Sequence, residues 1–139
     1  MIILDTNVVS ELMRPCPEPR VLNWLAEQPI EQLYMAAITE AEIRRGLALL
    51  PEGTRRDNLE DAFTRFLEEG FSGRILSFSE STAAVYAPIY ARRVKAGLRI
   101  DELGLLLAAI ATEHRAAIST RNTSDFEESG VKLINPWEI

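Results

Sequence analysis

Residues 1–12 read MIILDTNVVSEL, where a short apolar run ends at an acid and passes directly into a helical pattern. Residues 1–4 predict a buried strand, and Asp5-Thr6-Asn7 predicts the cap of a helix that follows without a loop. In a parallel α/β fold, ligands bind in the crevice outside the carboxyl ends of the strands. Asp5 is therefore predicted to lie at a ligand-binding edge of a sheet.

The same alternation of strand and helix continues along the chain. Further strands are predicted at 33–37, 74–78, 116–120 and 131–134. Helices are predicted to follow the loop at 15–19, to begin at Thr39 and Thr54, and to cover 79–96 and 101–114. Pro88 is expected to kink or interrupt the helix that contains it. We therefore expect one domain of residues 1–139, an α/β sandwich whose mainly parallel sheet of about five strands carries helices on both faces.

The composition excludes several classes of protein. The chain has one cysteine and one histidine, which excludes an internal disulfide and a zinc site of the Cys/His type. Its formal net charge of −6 argues against a protein that holds nucleic acid by bulk electrostatics. A nuclease with bound metal and local arginines remains compatible with that charge. No signal peptide or membrane span fits the sequence, so a cytoplasmic location is expected.

Acidic residues recur at the predicted junctions between loops and helices. Carboxylates that meet at one end of a parallel sheet repel one another, and they stay ionised only with a cation between them. The pattern therefore predicts a Mg²⁺ or Mn²⁺ site. The acids that share this placement are Asp5, Glu42, Asp101, Glu102 and Asp125.

Each of these acids also has a structural interpretation. Asp5 suits a helix N-cap, and Thr39-x-x-Glu42 matches a capping box, in which the Glu42 carboxylate accepts from the backbone N–H of Thr39. Asp101 suits the first turn of a helix, where the helix dipole favours acids, and Asp125 suits the cap of a short turn. Taken one at a time, the acids do not separate a metal site from helix caps.

Two pairs of arginines are candidates for contact with a nucleic-acid backbone. Arg44 and Arg45 directly follow Glu42 and are expected near the acids, where they would hold a nucleic-acid backbone. Arg92 and Arg93 lie near the end of a predicted helix, where they suit a solvated face and the helix C-terminus; phosphate contact is the alternative. No serine or cysteine is paired with a suitably placed histidine, so acyl transfer has no support.

The motifs resemble one family when they are taken in order along the chain. They are similar to the PIN-domain ribonucleases of the VapC and FitB toxin type, over essentially the whole length. The resemblance implies a PIN-like α/β/α sandwich and a metal-dependent endoribonuclease. It also implies a homodimer and a cognate antitoxin, whose DNA-binding domain lets the hetero-oligomer repress its own operon. The motifs are Ile2-Ile3-Leu4-Asp5-Thr6-Asn7-Val8-Val9-Ser10-Glu11, Ala37-Ile38-Thr39-x-Ala41-Glu42-Ile43-Arg44-x-Gly46, Ala108-Ala109-Ile110-Ala111, Thr120-Arg121-Asn122-Thr123-x-Asp125-Phe126 and Asn135-Pro136-Trp137.

The resemblance also implies roles for individual residues. Asp5 matches the family's first metal ligand and Glu42 its second. The family's fourth acidic position varies between the sites that match Asn122 and Asp125, and this chain has its carboxylate at Asp125. The third ligand is where the chain departs from the family, because Gly104 stands at the expected aspartate. Asp101 lies one turn earlier and is expected to substitute in part. Supporting roles around the ligands fall to Thr6, Asn7, Thr120, Arg121 and Asn122.

Two functions follow from this resemblance. In the first, one or two Mg²⁺ or Mn²⁺ ions activate a water that hydrolyses an RNA phosphodiester. In the second, Gly104 leaves a weakened or silent PIN module that acts through antitoxin binding and operon autoregulation. An aspartate-based phosphatase with Asp5 as nucleophile and Thr120 in support is disfavoured, because Asn7 stands where that class has a second aspartate. The absence of Gly-x-x-x-x-Gly-Lys argues against a P-loop enzyme.

Overall fold

The amino-terminal strand lies at the centre of the sheet. In the computed structural model, which describes residues 1–139, the strands are β1 (Ile2–Leu4), β2 (Leu33–Ala36), β3 (Ile75–Leu76), β4 (Ala117–Ser119) and β5 (Leu133–Ile134). Their order in the sheet is β3-β2-β1-β4-β5, and every pairing is parallel. The predicted five-stranded parallel sheet is confirmed. Its two edge strands are shorter than the sequence pattern predicted.

Helices cover both faces of this sheet. Alternate residues of a strand point to opposite faces, and two buried clusters follow that alternation. Leu4 and Met35 pack with the helices between β1 and β3, whereas Ile3 and Ala36 pack with the two helices before β4. The α/β/α sandwich is therefore confirmed. The helices are α1 (Thr6–Leu12), α2 (Pro19–Ala26), α3 (Ala37–Ala48), α4 (Thr54–Gly70), α5 (Glu80–Lys95) and α6 (Glu102–His114), with short 3₁₀ turns at Ile30–Gln32 and Thr123–Phe126.

The most apolar helix, α6, is the central element of the second face. Its residues Leu105 and Ile110 are fully buried between the sheet and α5, and each contributes about 1.5–3 kcal/mol through burial. This packing directs the N-terminus of α6, and with it Asp101, toward the carboxyl ends of the strands. No helix of the protein combines the length and the hydropathy needed to cross a membrane.

Two expectations about helices are corrected by the structure. Pro88 does not interrupt its helix, because α5 runs continuously from Glu80 to Lys95; the alternative, a kink at Pro88, stays a prediction. Pro88 and Ala84 are both exposed, so the Ala84 carbonyl that loses its usual donor can bond to water. Helix α3 begins at Ala37, two residues before the predicted start at Thr39.

Candidate active site

The Asp5 carboxylate uses its two oxygens for different purposes. Its Oδ1 accepts from the backbone N–H of Thr6 at 2.8 Å, so the predicted helix cap is confirmed. Its Oδ2 accepts from the Thr120 hydroxyl at 2.8 Å and from Asn7 Nδ2 at 3.3 Å. The cap therefore occupies one oxygen and leaves the other oriented by side chains at the edge of the sheet.

Thr120 links the ends of β1 and β4. Besides donating to Asp5, its hydroxyl oxygen accepts from Asn7 Nδ2 at 3.2 Å and from the Asn122 backbone N–H at 3.0 Å. The Asn7 side-chain oxygen accepts in turn from the Arg121 backbone N–H at 3.0 Å. The sheet extends from β1 toward β2 in one direction and toward β4 in the other. The network thus lies where the strand order reverses, the usual ligand position in such sheets.

Glu42 does not form the predicted capping box. The cap residue of α3 is Ala36, which makes no side-chain hydrogen bond. Thr39 lies inside the helix, is fully buried, and its hydroxyl has no hydrogen-bond partner. The box is lost because the helix begins two residues earlier, which turns Thr39 inward. Glu42 is half-buried and lines a small cleft of about 140 Å³ with Ile38, Ala41, Arg45 and Leu103.

The predicted acids influence one another electrostatically. Burial raises the pKa of Asp5, and the charges of Asp101 and Asp125 raise it further, against the hydrogen bonds from Thr120 and Thr6. Burial also raises the pKa of Glu42, and the charges of Asp5 and Asp101 add to this effect. Glu42, Asp101 and Asp125 therefore each lie within electrostatic reach of Asp5 at one edge of the sheet. Burial and the neighbouring negative charges disfavour the ionised forms of Asp5 and Glu42, and a bound cation would remove this free-energy penalty.

The geometry fits a hydrated cation. No group of three His, Cys, Asp or Glu side chains comes close enough together to surround an ion. Asp5 and Glu42 are instead accompanied by the buried Thr6 hydroxyl, which lowers the pKa of Glu42 but makes no hydrogen bond of normal geometry. Mg²⁺ usually keeps several waters and binds through one or two carboxylates. The donor set suits that mode rather than direct contact with three protein carboxylates.

Asp125 is paired with an arginine that the sequence gave no reason to select. Its Oδ1 lies 3.3 Å from Nη2 of Arg99. The residue at the cap of the 3₁₀ turn is Asn122, so the predicted capping role of Asp125 is wrong. Arg99 lies in the loop before α6, and no local motif distinguishes it from the other exposed arginines.

Arg93 is a structural residue, and its prediction as a solvated or RNA-contacting side chain is wrong. It is only 3% exposed, and its guanidinium donates to the carbonyl oxygens of Arg99, Ser124 and Glu127 at 2.6, 3.1 and 3.0 Å. These carbonyls satisfy its donors in place of water. The neighbouring Arg92 is exposed and makes two longer hydrogen bonds to backbone carbonyls, at 3.2 and 3.4 Å.

The arginines after Glu42 point in different directions. Arg45 is exposed beside Glu42 and lowers the pKa of that carboxyl. Arg44 lies 3.3 Å from Glu40 and 5.3 Å over the ring of Phe63 in α4. Of the two, only Arg45 acts on the Glu42 carboxyl, since Arg44 pairs with Glu40 within α3 and lies over Phe63 of α4.

Comparisons with known proteins identify the family of the chain. The PIN domain matches residues 2–130. The chain is 41% identical to the VapC ribonuclease Y4jK of Sinorhizobium fredii over 138 residues and 41% identical to the toxin FitB of Neisseria gonorrhoeae over 137, each time covering 99% of both chains. The solved structure of FitAB bound to an IR36 DNA fragment superposes with a TM-score of 0.93 at 40% identity, covering 100% of this chain and 97% of that one. The chain therefore belongs to the PIN-domain family, within the group that contains the VapC and FitB toxins.

Proposed function

We propose that this chain is the toxin of a toxin–antitoxin pair and hydrolyses RNA phosphodiesters with the help of Mg²⁺ or Mn²⁺. The observation that carries the proposal is the Asp5 carboxylate, oriented by Thr120 and Asn7 where three further acids come within electrostatic reach. The similarity to a VapC ribonuclease over 99% of both chains supports the choice of RNA as the substrate.

In this proposal Asp5 and Glu42 hold the ion, and Asp101 and Asp125 add negative charge beside it. The bound ion supplies an activated water and balances the charge that develops on the phosphate. Thr120 holds Asp5 in one orientation, so little reorganisation is needed when the ion arrives. Arg45 lies on the rim beside Glu42 and is placed to donate to the RNA backbone, which positions the strand without reading its sequence.

The test is cleavage of a mixed RNA substrate by the purified protein with Mg²⁺ or Mn²⁺. Asp5→Asn should abolish cleavage and keep the fold, because asparagine also caps helices but supplies no charge to a metal. The matched control is Asp57→Asn, which alters an exposed acid in the first turn of α4 and should cleave normally. Cleavage that survives Asp5→Asn, or that persists with EDTA, would overturn the proposal.

We also propose that the chain forms a homodimer and a larger complex with an antitoxin that carries a DNA-binding domain. The similarity to FitAB bound to DNA supports this assembly, and the formal net charge of −6 favours a basic partner. Co-expression with the adjacent gene, followed by light scattering and an operator DNA shift, tests it. A strictly monomeric chain that binds no product of its operon would contradict it.

The silent module is the second candidate, and the lack of three converging acids favours it. Such a module would bind the antitoxin and regulate the operon without cleaving RNA. Mn²⁺ distinguishes the two, because a ligand that binds only the folded state raises the melting temperature. An active nuclease should be stabilised by Mn²⁺, whereas a silent module should show neither stabilisation nor cleavage.

A further inference from the structure

We propose that Gly104 creates the space in which Asp101 serves as an outer carboxylate of the site, which acts on the ion through the ion's waters, so that a side chain at 104 would weaken metal binding. The inference rests on the proposed metal site, which it deepens by assigning a role to a residue that has no side chain. It is carried by the geometry of the first turn of α6.

The Asp101 carboxylate lies directly over Gly104. A Cβ atom added at residue 104 would come within 2.6 Å of Asp101 Oδ2 and 3.2 Å of its Cγ. Real Cβ atoms do not tolerate a contact of 2.6 Å, so the carboxylate occupies this position only because residue 104 lacks a side chain. At each of the other six glycines, an added Cβ would meet nothing within 4 Å. Gly104 is therefore the glycine at which another residue occupies the volume that a side chain would need.

Backbone conformation does not explain Gly104. Its φ does not lie in the left-handed region, unlike four other glycines of the chain. A glycine inside a helix costs about 1 kcal/mol relative to alanine. The cost is offset if the site gains the Asp101 carboxylate.

The Asp101 carboxylate is not engaged by other groups of the protein. Asp101 is the N-cap residue of α6, yet its side chain makes none of the hydrogen bonds that usually fix an aspartate at that position. It also takes part in no ion pair. The turn that begins at Asp101 borders the site, because Leu103 in that turn lines the cleft that holds Glu42. Asp101 therefore begins the helical turn that lies beside the Glu42 carboxylate.

A carboxylate introduced at 104 would replace that of Asp101 instead of joining it. Because the new Cβ would occupy the volume that now holds Oδ2, Gly104→Asp must displace the Asp101 side chain. The exchange leaves the number of acids near the ion unchanged. Metal affinity therefore depends on which of the two carboxylates is present, and the two effects cannot add.

The experiment is Mn²⁺ titration followed by thermal shift on the full chain. Asp101→Asn and Gly104→Ala should each weaken Mn²⁺ binding on the order of tenfold, the usual effect of removing an outer group of a metal site. The double variant should be no weaker than Asp101→Asn alone, since both changes remove the same interaction. The matched control is Asp57→Asn, because Asp57 is an exposed acid in the first turn of α4 and should not alter Mn²⁺ affinity.

Gly104→Ala also separates this inference from general damage to the fold. Alanine favours a helix, so the metal-free melting temperature should stay level or rise while Mn²⁺ affinity falls. Unchanged affinity in Gly104→Ala, or additive losses in the double variant, would overturn the inference. Failure of RNA cleavage alone, with this Mn²⁺ pattern intact, would instead overturn the proposed ribonuclease activity and leave the role of Gly104 standing.

Discussion

Replacing Arg93 with alanine should destabilise the protein far more than the same change at Arg92. The two residues are adjacent in α5. Arg93 is buried and donates hydrogen bonds to three carbonyl oxygens, whereas Arg92 is exposed and donates to two carbonyl oxygens at longer distances. Two of the carbonyls bound by Arg93 belong to Ser124 and Glu127, on either side of Asp125. Arg93 therefore ties the turn that carries Asp125 to α5.

The expected loss follows from these contacts. A hydrogen bond from a charged donor contributes about 1.5–3 kcal/mol, and three such bonds would give a larger loss if nothing replaced them. Ser124 and Glu127 are exposed residues, so water can reach part of the space that is vacated. We expect Arg93→Ala to lower the free energy of unfolding by about 3 kcal/mol. For a chain of this size, that corresponds to a melting temperature lower by about 9 °C.

Urea unfolding and thermal melts of the two variants test this expectation. Arg92→Ala should lie within about 1 kcal/mol of the unchanged protein, as exposed substitutions usually do. Equal stability of the two variants would refute the structural role of Arg93. A loss of RNA binding in Arg93→Ala at unchanged stability would restore the rejected prediction of phosphate contact.

Three further predictions concern the site and its neighbours. Thr120→Val removes a hydrogen bond that lowers the pKa of Asp5, so the onset of Mn²⁺ stabilisation in a thermal-shift series from about pH 5 to 8 should move to higher pH; an unmoved onset would contradict the role of this hydroxyl. Because burial raises the pKa of Asp5 and Glu42 in the folded state, metal-free stability in urea should fall as the pH rises through those pKa values. The double variant Asp5→Asn/Glu42→Gln should lose this dependence, and a retained dependence would assign it to other groups. Thr39→Val should leave the free energy of unfolding unchanged or raise it by up to about 1 kcal/mol, since it removes a buried hydroxyl without a partner; a loss of about 1 kcal/mol would support the capping box.

The features that the sequence predicted correctly are those set by neighbouring residues. An apolar run that ends at Asp5 and continues as a helix fixes β1, the cap and α1 together, because each depends on residues a few positions away. Parallel pairing then brings the ends of β1 and β4 to one edge. The supporting roles of Thr120 and Asn7 beside Asp5, by contrast, were implied by the family resemblance.

The features that the sequence did not predict are set by distant contacts or by ambiguous boundaries. The apolar residues Ala36 and Ala37 suit the end of a strand and the start of a helix equally, so the beginning of α3 was placed too late. In the sequence, nothing distinguishes Arg93 from other cations near a helix end. Its role depends on the turn at 123–126, where the Ser124 carbonyl accepts a hydrogen bond from its guanidinium. The pairing of Arg99 with Asp125 joins residues 26 positions apart, and no periodicity encodes it.

The position of β1 at the centre of the sheet determines when the site can form during synthesis. Asp5 and Thr120 are 115 residues apart, and ribosomes add roughly 5–20 residues per second, so the partner of Asp5 is made roughly 6–23 seconds after it. Pairings between such distant segments also form slowly. The growing chain therefore carries Asp5 without Thr120 or β4 for most of its synthesis. The proposed site assembles only when the last segments emerge, which gives a partner already present in the cell time to meet the chain before it can act.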